Sequence, residues 1–388
     1  MIKKNTYRNF AYLVWMCMVL ITLGSVAQAQ TPYWIQSGGG ITIDEAYDIS
    51  LDGQGNTYTT GYFTGTATFG TTSLVSSGST DIFIVKTDNQ GNFVWAQKAG
   101  GTGSDRGLAI ATDFLGNSYV TGYFNGSATF GTTTLTSAGL QDMFVAMYNN
   151  AGVLQWVKQA GGTGADQGSG VSFNNSGGVF VTGSYKGSAT FGTTTLTSPN
   201  STANVFVTKL NSSGVFQWSK SGIGNYNNRG VDLGCDNNGN VYVTGHFSDT
   251  ITFDVQHANQ MLNAIFLVKF NSTGAEQWFR TIGAAATNIV NGIAVSGNGN
   301  CHLTGDFTGG LTFFGPPNNT ITNTYLERIF VAKYNSGGTF QWAEADGSDS
   351  DITSKNIGID NSGNIYIGGH FNLLSGKIHD YKRGYYSC

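Results

Sequence analysis

Within each unit of the chain, apolar and polar residues alternate in short runs and never recur at the 3.6-residue spacing of a helix. Residues 107–159 show the pattern once. GLAIATD (Gly107–Asp113) interleaves small and apolar residues, and NSYVTGYF (Asn117–Phe124) and DMFVAMY (Asp142–Tyr148) are rich in aromatic and β-branched side chains. VLQWVKQ (Val153–Gln159) is built about a tryptophan. Each run reads as a β-strand. Turn residues separate them. D-x-x-G-N joins the first and second runs at Asp52–Asn56, Asp113–Asn117, Asp236–Asn240 and Asp360–Asn364, and Asn-rich turns ending in Gly join the third and fourth at Asn211–Gly214, Asn271–Gly274 and Asn335–Gly338. Asp and Asn bond their own backbone and Gly takes φ > 0, as tight hairpins require.

The four-run unit repeats. Trp34, Trp95, Trp156, Trp218, Trp278 and Trp342 mark a period of about sixty residues, and the glycine of TG-x-F keeps the same step at Gly61, Gly122, Gly183, Gly245, Gly305 and Gly369. Self-similarity at a fixed period means one supersecondary unit, copied and stacked. Four hairpin-joined strands make an antiparallel sheet, and radial repetition of such sheets makes a β-propeller. A β-helix has far shorter rungs, and sixty residues is too few for a string of independent sandwiches. The fold class expected is therefore all-β, a propeller with five complete blades at about 46–98, 107–159, 168–220, 230–281 and 292–345.

A sixth blade begins at Thr353 and reaches Phe371, and Tyr33–Ser37 matches a fourth, outermost strand that would complete it. After Phe371 the expected third-strand segment does not follow. Instead comes NLLSGKIHDYKRGYYSC, which reads as an aberrant tail, from truncation or a frameshift, or as an improvised strand. An open sheet edge there is an aggregation risk.

The pattern GG-x-G-x-D-x-G-x-x-I-x-x-D-x-x-GN-x-YVTG-x-F stands as GGTGSDRGLAIATDFLGNSYVTGYF (100–124) and again as GGTGADQGSGVSFNNSGGVFVTGSY (161–185). Followed by D-x-F-V-A-K-Y-N and a Trp strand, it resembles the SBBP-type β-propeller repeat of secreted, Bacteroidetes-like bacterial proteins. The resemblance covers roughly Tyr33 to Phe371. It implies the propeller fold and an extracellular setting, and implies no particular activity. The type IX secretion sorting domain with which similar proteins often end is not visible.

Residues 1–29 read as a signal peptide: Lys3, Lys4 and Arg8 precede the apolar run Ala11–Gly24, and Ala27-Gln28-Ala29 offers a small-residue cleavage site. The apolar run is short for a membrane span. The organisation expected is thus signal 1–29, propeller 30–371 and tail 372–388, in a protein secreted or displayed on the outer surface of a Gram-negative cell. Losing those three cations leaves 16 of the 19 basic residues against 23 carboxylates, a net charge of about −7. That argues against nucleic acid and anionic membranes as partners. Cys235, Cys301 and Cys388 would remain, odd in number and without metal-ligand spacing, and Cys235 and Cys301 read as two small buried residues more than as a disulfide.

Asp44, Asp105, Asp166, Asn228 and Asn288 occupy one repeat position, in the loop that leads from one outer strand into the next inner strand. Such a ring of oxygens could hold calcium. The competing expectation, that each caps its own loop, is favoured because a copied structural residue appears in every repeat. The D-x-x-G-N turns lack an EF-hand's dense oxygen ligands and need no metal. ATFGTTTLTS is extra to a four-strand count and is expected as a projecting loop or small hairpin with exposed hydroxyls. For catalysis the sequence offers little: His246 and His370 share a repeat position two blades apart, no nucleophile or metal motif occurs, and the carboxylates Asp249 and Asp254 are not singled out. The divergent stretches Asp249–Asn263 and Phe314–Arg328 mark where a specific contact would lie. The function expected is a monomeric, non-catalytic scaffold that binds a surface protein or glycan without a cofactor. The rival is a polysaccharide lyase or hydrolase with its site on the propeller axis.

Overall fold

The alternating runs form antiparallel strands, and among the described residues there is no helix. The computed structural model describes residues 34–199, 202–258, 264–283, 288–314, 318–322, 328–346, 352–360 and 362–371. All the strands lie in one compact unit, Gln36–Lys377. Met1–Ile35 and Ile378–Cys388 make a second unit, of which Trp34 and Ile35 are described. The expected signal peptide (1–29) and tail (372–388) lie outside the described residues.

Repeat two carries the strands Arg106–Thr112, Ser118–Phe124, Asp142–Tyr148 and Leu154–Gly162, paired in that order through Gly107↔Gly122, Val120↔Ala146 and Ala146↔Val157. The inner strands of the six repeats are Asp44–Leu51, Arg106–Thr112, Gln167–Phe173, Arg229–Cys235, Asn288–Val295 and Ile352–Ile359. Each lies against the next. These are propeller-type repeats. The TG glycines explain their own periodicity: a Cβ at Gly122 would collide with the Arg106 carbonyl oxygen of the paired inner strand, and the same holds at Gly61, Gly183, Gly245, Gly305 and Gly369. Only glycine lets the two backbones approach this closely. The preceding threonine is buried and donates its hydroxyl to the third strand, Thr121 to the Phe144 carbonyl at 2.6 Å and Thr182 to that of Phe206 at 2.8 Å.

Two sheets, those of the third and fifth repeats, hold the four strands of one repeat; others are larger. Three of them have six strands, because each gains a hairpin from the following repeat. The ATFGTTTL segment is that hairpin: Ser127–Phe130 with Thr133–Thr136, and Ser188–Phe191 with Thr194–Thr197. It does not project. Thr129 and Ala128 pair with Gly100 and Gly101 of the repeat before, and Thr190 and Ala189 with Gly161 and Gly162. Burial of Ala128 and Phe130, which alternate with exposed Ser127 and Thr129, holds the hairpin down.

Tryptophans supply a second clasp. Trp95, Trp156, Trp218 and Trp278 each donate their indole N–H to a turn carbonyl of the next repeat, at 2.9–3.2 Å: Asn150, Ser212, Ser272 and Ser336. Of Tyr33–Ser37, expected as a fourth strand, the described residues Trp34–Ser37 form no strand, and Gly39 bridges to Thr68 of the first hairpin. Among the described residues the sixth repeat contributes Ile352–Ile359 and Ile365–Phe371.

Candidate functional site

Four residues of the loop ring expected from sequence accept backbone amides. Asp105 accepts the Gly101 amide on Oδ2 at 2.7 Å and the Asn125 amide on Oδ1 at 2.9 Å. Asp166 does the same with Gly162 and Lys186 at 2.7 and 2.9 Å, and Asp44 with Gly40 and Thr64 at 2.5 and 3.4 Å. Asn228 accepts the Ser248 amide at 3.2 Å, and Asn288 is likewise buried. Asp105 and Asp166 each have a carboxylate neighbour from the preceding third strand. A Cβ on Gly100 would sit 2.6 Å from Asp81 Oδ1 and 2.9 Å from Asp105 Oδ2, and Gly161 stands likewise between Asp142 and Asp166. Burial first, and then the paired charge, pushes the carboxyls of Asp105 and Asp166 up to about 6. Among the described residues no three His, Cys, Asp or Glu side chains are grouped closely enough to hold a metal ion.

The D-x-x-G-N turns also consume their own oxygens. Asp113 Oδ1 accepts the amides of Leu115 and Asn117, and Oδ2 accepts the Asn117 side-chain amide at 2.7 Å. Cys235 and Cys301 are free thiols. His246 is half-buried beside the Val290 amide and Arg229, and desolvation by the protein around it holds its imidazole down to about 4. Asp254 is engaged by Lys220 at 2.5 Å and by the Glu276 amide. Asp249 takes a left-handed backbone, φ 66°. The side chain of His370 and parts of both divergent stretches lie outside the described residues.

A different position gathers chemistry on the axis. Each inner strand has a bulge, and the residue just after it is Asp48, Ala109, Gly170, Asp232, Gly292 or Asn356. Asp48 Oδ2 accepts the Ile110 amide of the second repeat at 2.8 Å, and Oδ1 accepts the Asn356 side-chain amide of the sixth at 2.7 Å. Asp232 accepts the Ile293 amide of the fifth repeat at 2.9 Å. A Cβ on Gly170 would meet Asp232, and one on Gly292 would meet Asn356. Through this position the first repeat touches the second, the third the fourth, the fourth the fifth, the fifth the sixth, and the sixth the first. Asp48 and Asp232 are half-buried to solvent yet enclosed by protein. Desolvation raises their carboxyls to about 7 and about 6. This cluster escaped the sequence reading. Its signal is an acidic or amide residue in three repeats where the other copies carry Ala or Gly.

A second polar feature lies on the hairpins. Their exposed strand positions pair hydroxyl with hydroxyl: Thr68 with Ser73, Ser127 with Thr136, Thr129 with Thr134, Ser188 with Thr197, Thr190 with Thr195 and Thr312 with Thr320, at 3.0–3.3 Å. Beside the third hairpin opens a groove of about 510 Å³, whose lining includes Asp142, Lys158, Gln159, Thr190, Thr193 and Phe216.

Comparison with known proteins agrees with the repeat. The SBBP family model, described as a β-propeller repeat, matches residues 94–127 and 341–370. The chain is also similar to the uncharacterized WD repeat-containing protein L264 of Acanthamoeba polyphaga mimivirus, at 25% identity over 429 residues. That match covers 87% of this chain and 31% of the viral protein, so the chain spans about a third of that relative's length. Propeller repeats define the class.

Proposed function

We propose that the chain is a secreted, non-catalytic β-propeller scaffold of six repeats about one axis, which binds glycan or another surface protein as a monomer. The observation that carries this reading is the hydroxyl-paired face. It recurs on successive hairpins, it is exposed, and its hydroxyls bond one another across each hairpin. Rows of hydroxyls beside a groove holding Lys158, Gln159 and the Phe216 ring suit a sugar, which needs oriented hydrogen bonds and a partly apolar platform. The net negative charge disfavours nucleic acid. The test is a panel of neutral and acidic polysaccharides titrated onto the full chain. A ligand is expected, and Thr190→Val together with Lys158→Ala should weaken it about tenfold, equivalent to about 1.4 kcal/mol. Unchanged affinity would remove the groove and hydroxyl face from the reading.

The raised carboxyls of Asp48 and Asp232 are the one observation that favours the rival, an axial enzyme acting on polysaccharide. Against it, both oxygens of each are already taken by inner-strand amides or Asn356. Release of reducing or unsaturated ends from the same panel, abolished by Asp232→Asn, would install the rival.

A further inference from the structure

Two junctions between repeats each bury a pair of carboxyls whose hydrogen bonds do not close. Asp81 and Asp142 begin the third strands of the first and second repeats, and Asp105 and Asp166 sit in the loops leading into the next; all four are 0–1% exposed. Oδ2 of Asp81 accepts the Ser77 amide at 2.8 Å, and Oδ2 of Asp142 the Ala138 amide at 3.0 Å. Oδ1 of each is buried without a hydrogen-bond partner. It and Oδ2 of the loop residue both lie within 2.9 Å of one point, the place of a Cβ on Gly100 or Gly161. That loop Oδ2 already accepts the Gly101 or Gly162 amide. An orphaned acceptor in a dry site is costly, and a second negative charge beside it costs more.

The junction of the third and fourth repeats fills the same place with amides, Asn204 and Asn228. There the Gly224 amide, the counterpart of Gly101 and Gly162, bonds Asn204 Oδ1 at 2.8 Å. Asn228 keeps the Ser248 amide on Oδ1, as Asp105 keeps that of Asn125, so its Nδ2 takes the place of Asp105 Oδ2 beside Gly224. That Nδ2 makes no hydrogen bond, but the site holds a neutral donor beside an acceptor, where ionised aspartates would set acceptor against acceptor.

We propose that Asp81 with Asp105, and Asp142 with Asp166, each hold one proton between Oδ1 of the strand residue and Oδ2 of the loop residue, forming a pH-sensitive clasp between successive repeats. The proton supplies the donor that Asn228 brings to the third junction, and it removes one of two charges from a dry site. Burial accordingly holds all four carboxyls above the usual range, Asp105 and Asp166 at about 6. The charged surroundings differ. Lys98 Nζ lies 3.5 Å from Asp81 Oδ2, whereas Gln159 takes that place beside Asp142 at 3.3 Å. Lys158 lines the groove that Asp142 borders, and the Tyr185 phenol faces Asp166. Because Lys98 favours the ionised form, the Asp81 pair gives up its proton at the lower pH. Above neutrality the first two junctions carry paired charges and loosen, while the third does not.

The test is infrared spectroscopy of the full chain at about pH 5, where an ordinary aspartate has lost its proton. A protonated-carboxyl band is expected. Asp142→Asn and Asp166→Asn should each remove the same share of it, because the proton belongs to the pair and the remaining carboxylate then accepts the new amide. Asp81→Asn should do likewise at the first junction, and its share should fade at lower pH than that of Asp142→Asn. Asparagine is what the third junction carries at these positions, so the variants are expected to fold. The proposal fails if no variant changes the band. It fails too if the band of Asp142→Asn matches the wild-type band while Asp166→Asn loses it, since Asp166 would then be a lone buried acid. Amide exchange in the wild-type chain, corrected for its intrinsic pH dependence, is the second readout. Protection at Gly101 and Gly162 should fall about tenfold relative to Gly224 between about pH 5 and 8. An equal change at all three amides would overturn the clasp.

Discussion

At the scale of single residues, the tryptophan clasp depends on what the facing turn lacks. Gly214 lies at φ 75°, and a Cβ there would come within 2.8 Å of the Trp156 ring, whose indole N–H is bonded to Ser212 of the same turn. Gly126 has nearly the same backbone, φ 71°, but faces open space. The pair separates two costs. Gly126→Ala is expected to lose only the left-handed penalty, about 1–2 kcal/mol. Gly214→Ala adds displacement of the ring and should cost about 2–4 kcal/mol. Chemical denaturation of the two variants decides it, and equal losses would show that the ring contact contributes nothing. The capping carboxylates make a second residue-scale prediction. Because both oxygens of Asp105 and of Asp166 already accept backbone amides, the melting temperature should be the same within about 1 °C in EDTA and in millimolar calcium. A shift of several degrees on chelation would mean that the ring of Asp44, Asp105, Asp166, Asn228 and Asn288 takes up metal.

At the scale of elements, the hairpin of one repeat belongs mechanically to the sheet of the repeat before. Phe130 is fully buried, packs 4.8 Å from the Phe144 ring, and sits on the strand that pairs with Ala99–Gly101. Phe130→Ala is expected to cost about 3–5 kcal/mol and to raise hydrogen exchange at 99–101 as well as at 127–136. Exchange rising in the hairpin alone would refute the shared sheet. The four strands of the second repeat and their turns were legible in the sequence because alternation and D-x-x-G-N are local signals, and those runs match the strands to within one residue at most ends. The fourth strand, expected to stop at Gln159, runs on to Gly162 because Gly161 and Gly162 pair with the next hairpin. No local pattern announces a partner thirty residues downstream. The axial residues were hidden for a related reason. Asp48, Asp232 and Asn356 fall into register with Ala109, Gly170 and Gly292 only once the strand bulges are known, while the Asp105 and Asp166 caps stand out by simple repetition.

At the scale of the whole molecule, the first and sixth repeats are joined by a group that resists ionisation. Asp48 accepts hydrogen bonds from its own strand, from Ile110 of the second repeat and from Asn356 of the sixth, so one carboxyl ties three repeats. Enclosure by protein raises it to about 7, and Asp232 on the same axis adds to the rise. A carboxyl with a raised folded pKa keeps its proton where the unfolded chain has lost it. Its stabilisation is therefore present below about pH 4 and is lost as the pH climbs through about 7. Asp105, Asp166 and Asp232, raised to about 6, lose theirs earlier. His246 and His302 act in the opposite sense: both are held down to about 4, so they favour the fold near neutrality and weaken it as the pH falls from about 6.5. Between about pH 6.5 and 8 the unfolded histidines release their remaining protons, a gain that opposes the loss from Asp48. The melting temperature should therefore fall over that window only as far as the loss from Asp48, with the last of that from the other raised carboxyls, exceeds this gain. In Asp48→Ala, a side chain that Ala109 shows this position tolerates, most of that fall should disappear while the melting temperature at pH 6.5 drops through loss of the tie to Asn356. A full pH-dependent fall persisting in Asp48→Ala would move the effect elsewhere in the ring. A variant as stable as the wild-type chain at pH 6.5 would mean that the first and last repeats are held together without this bond.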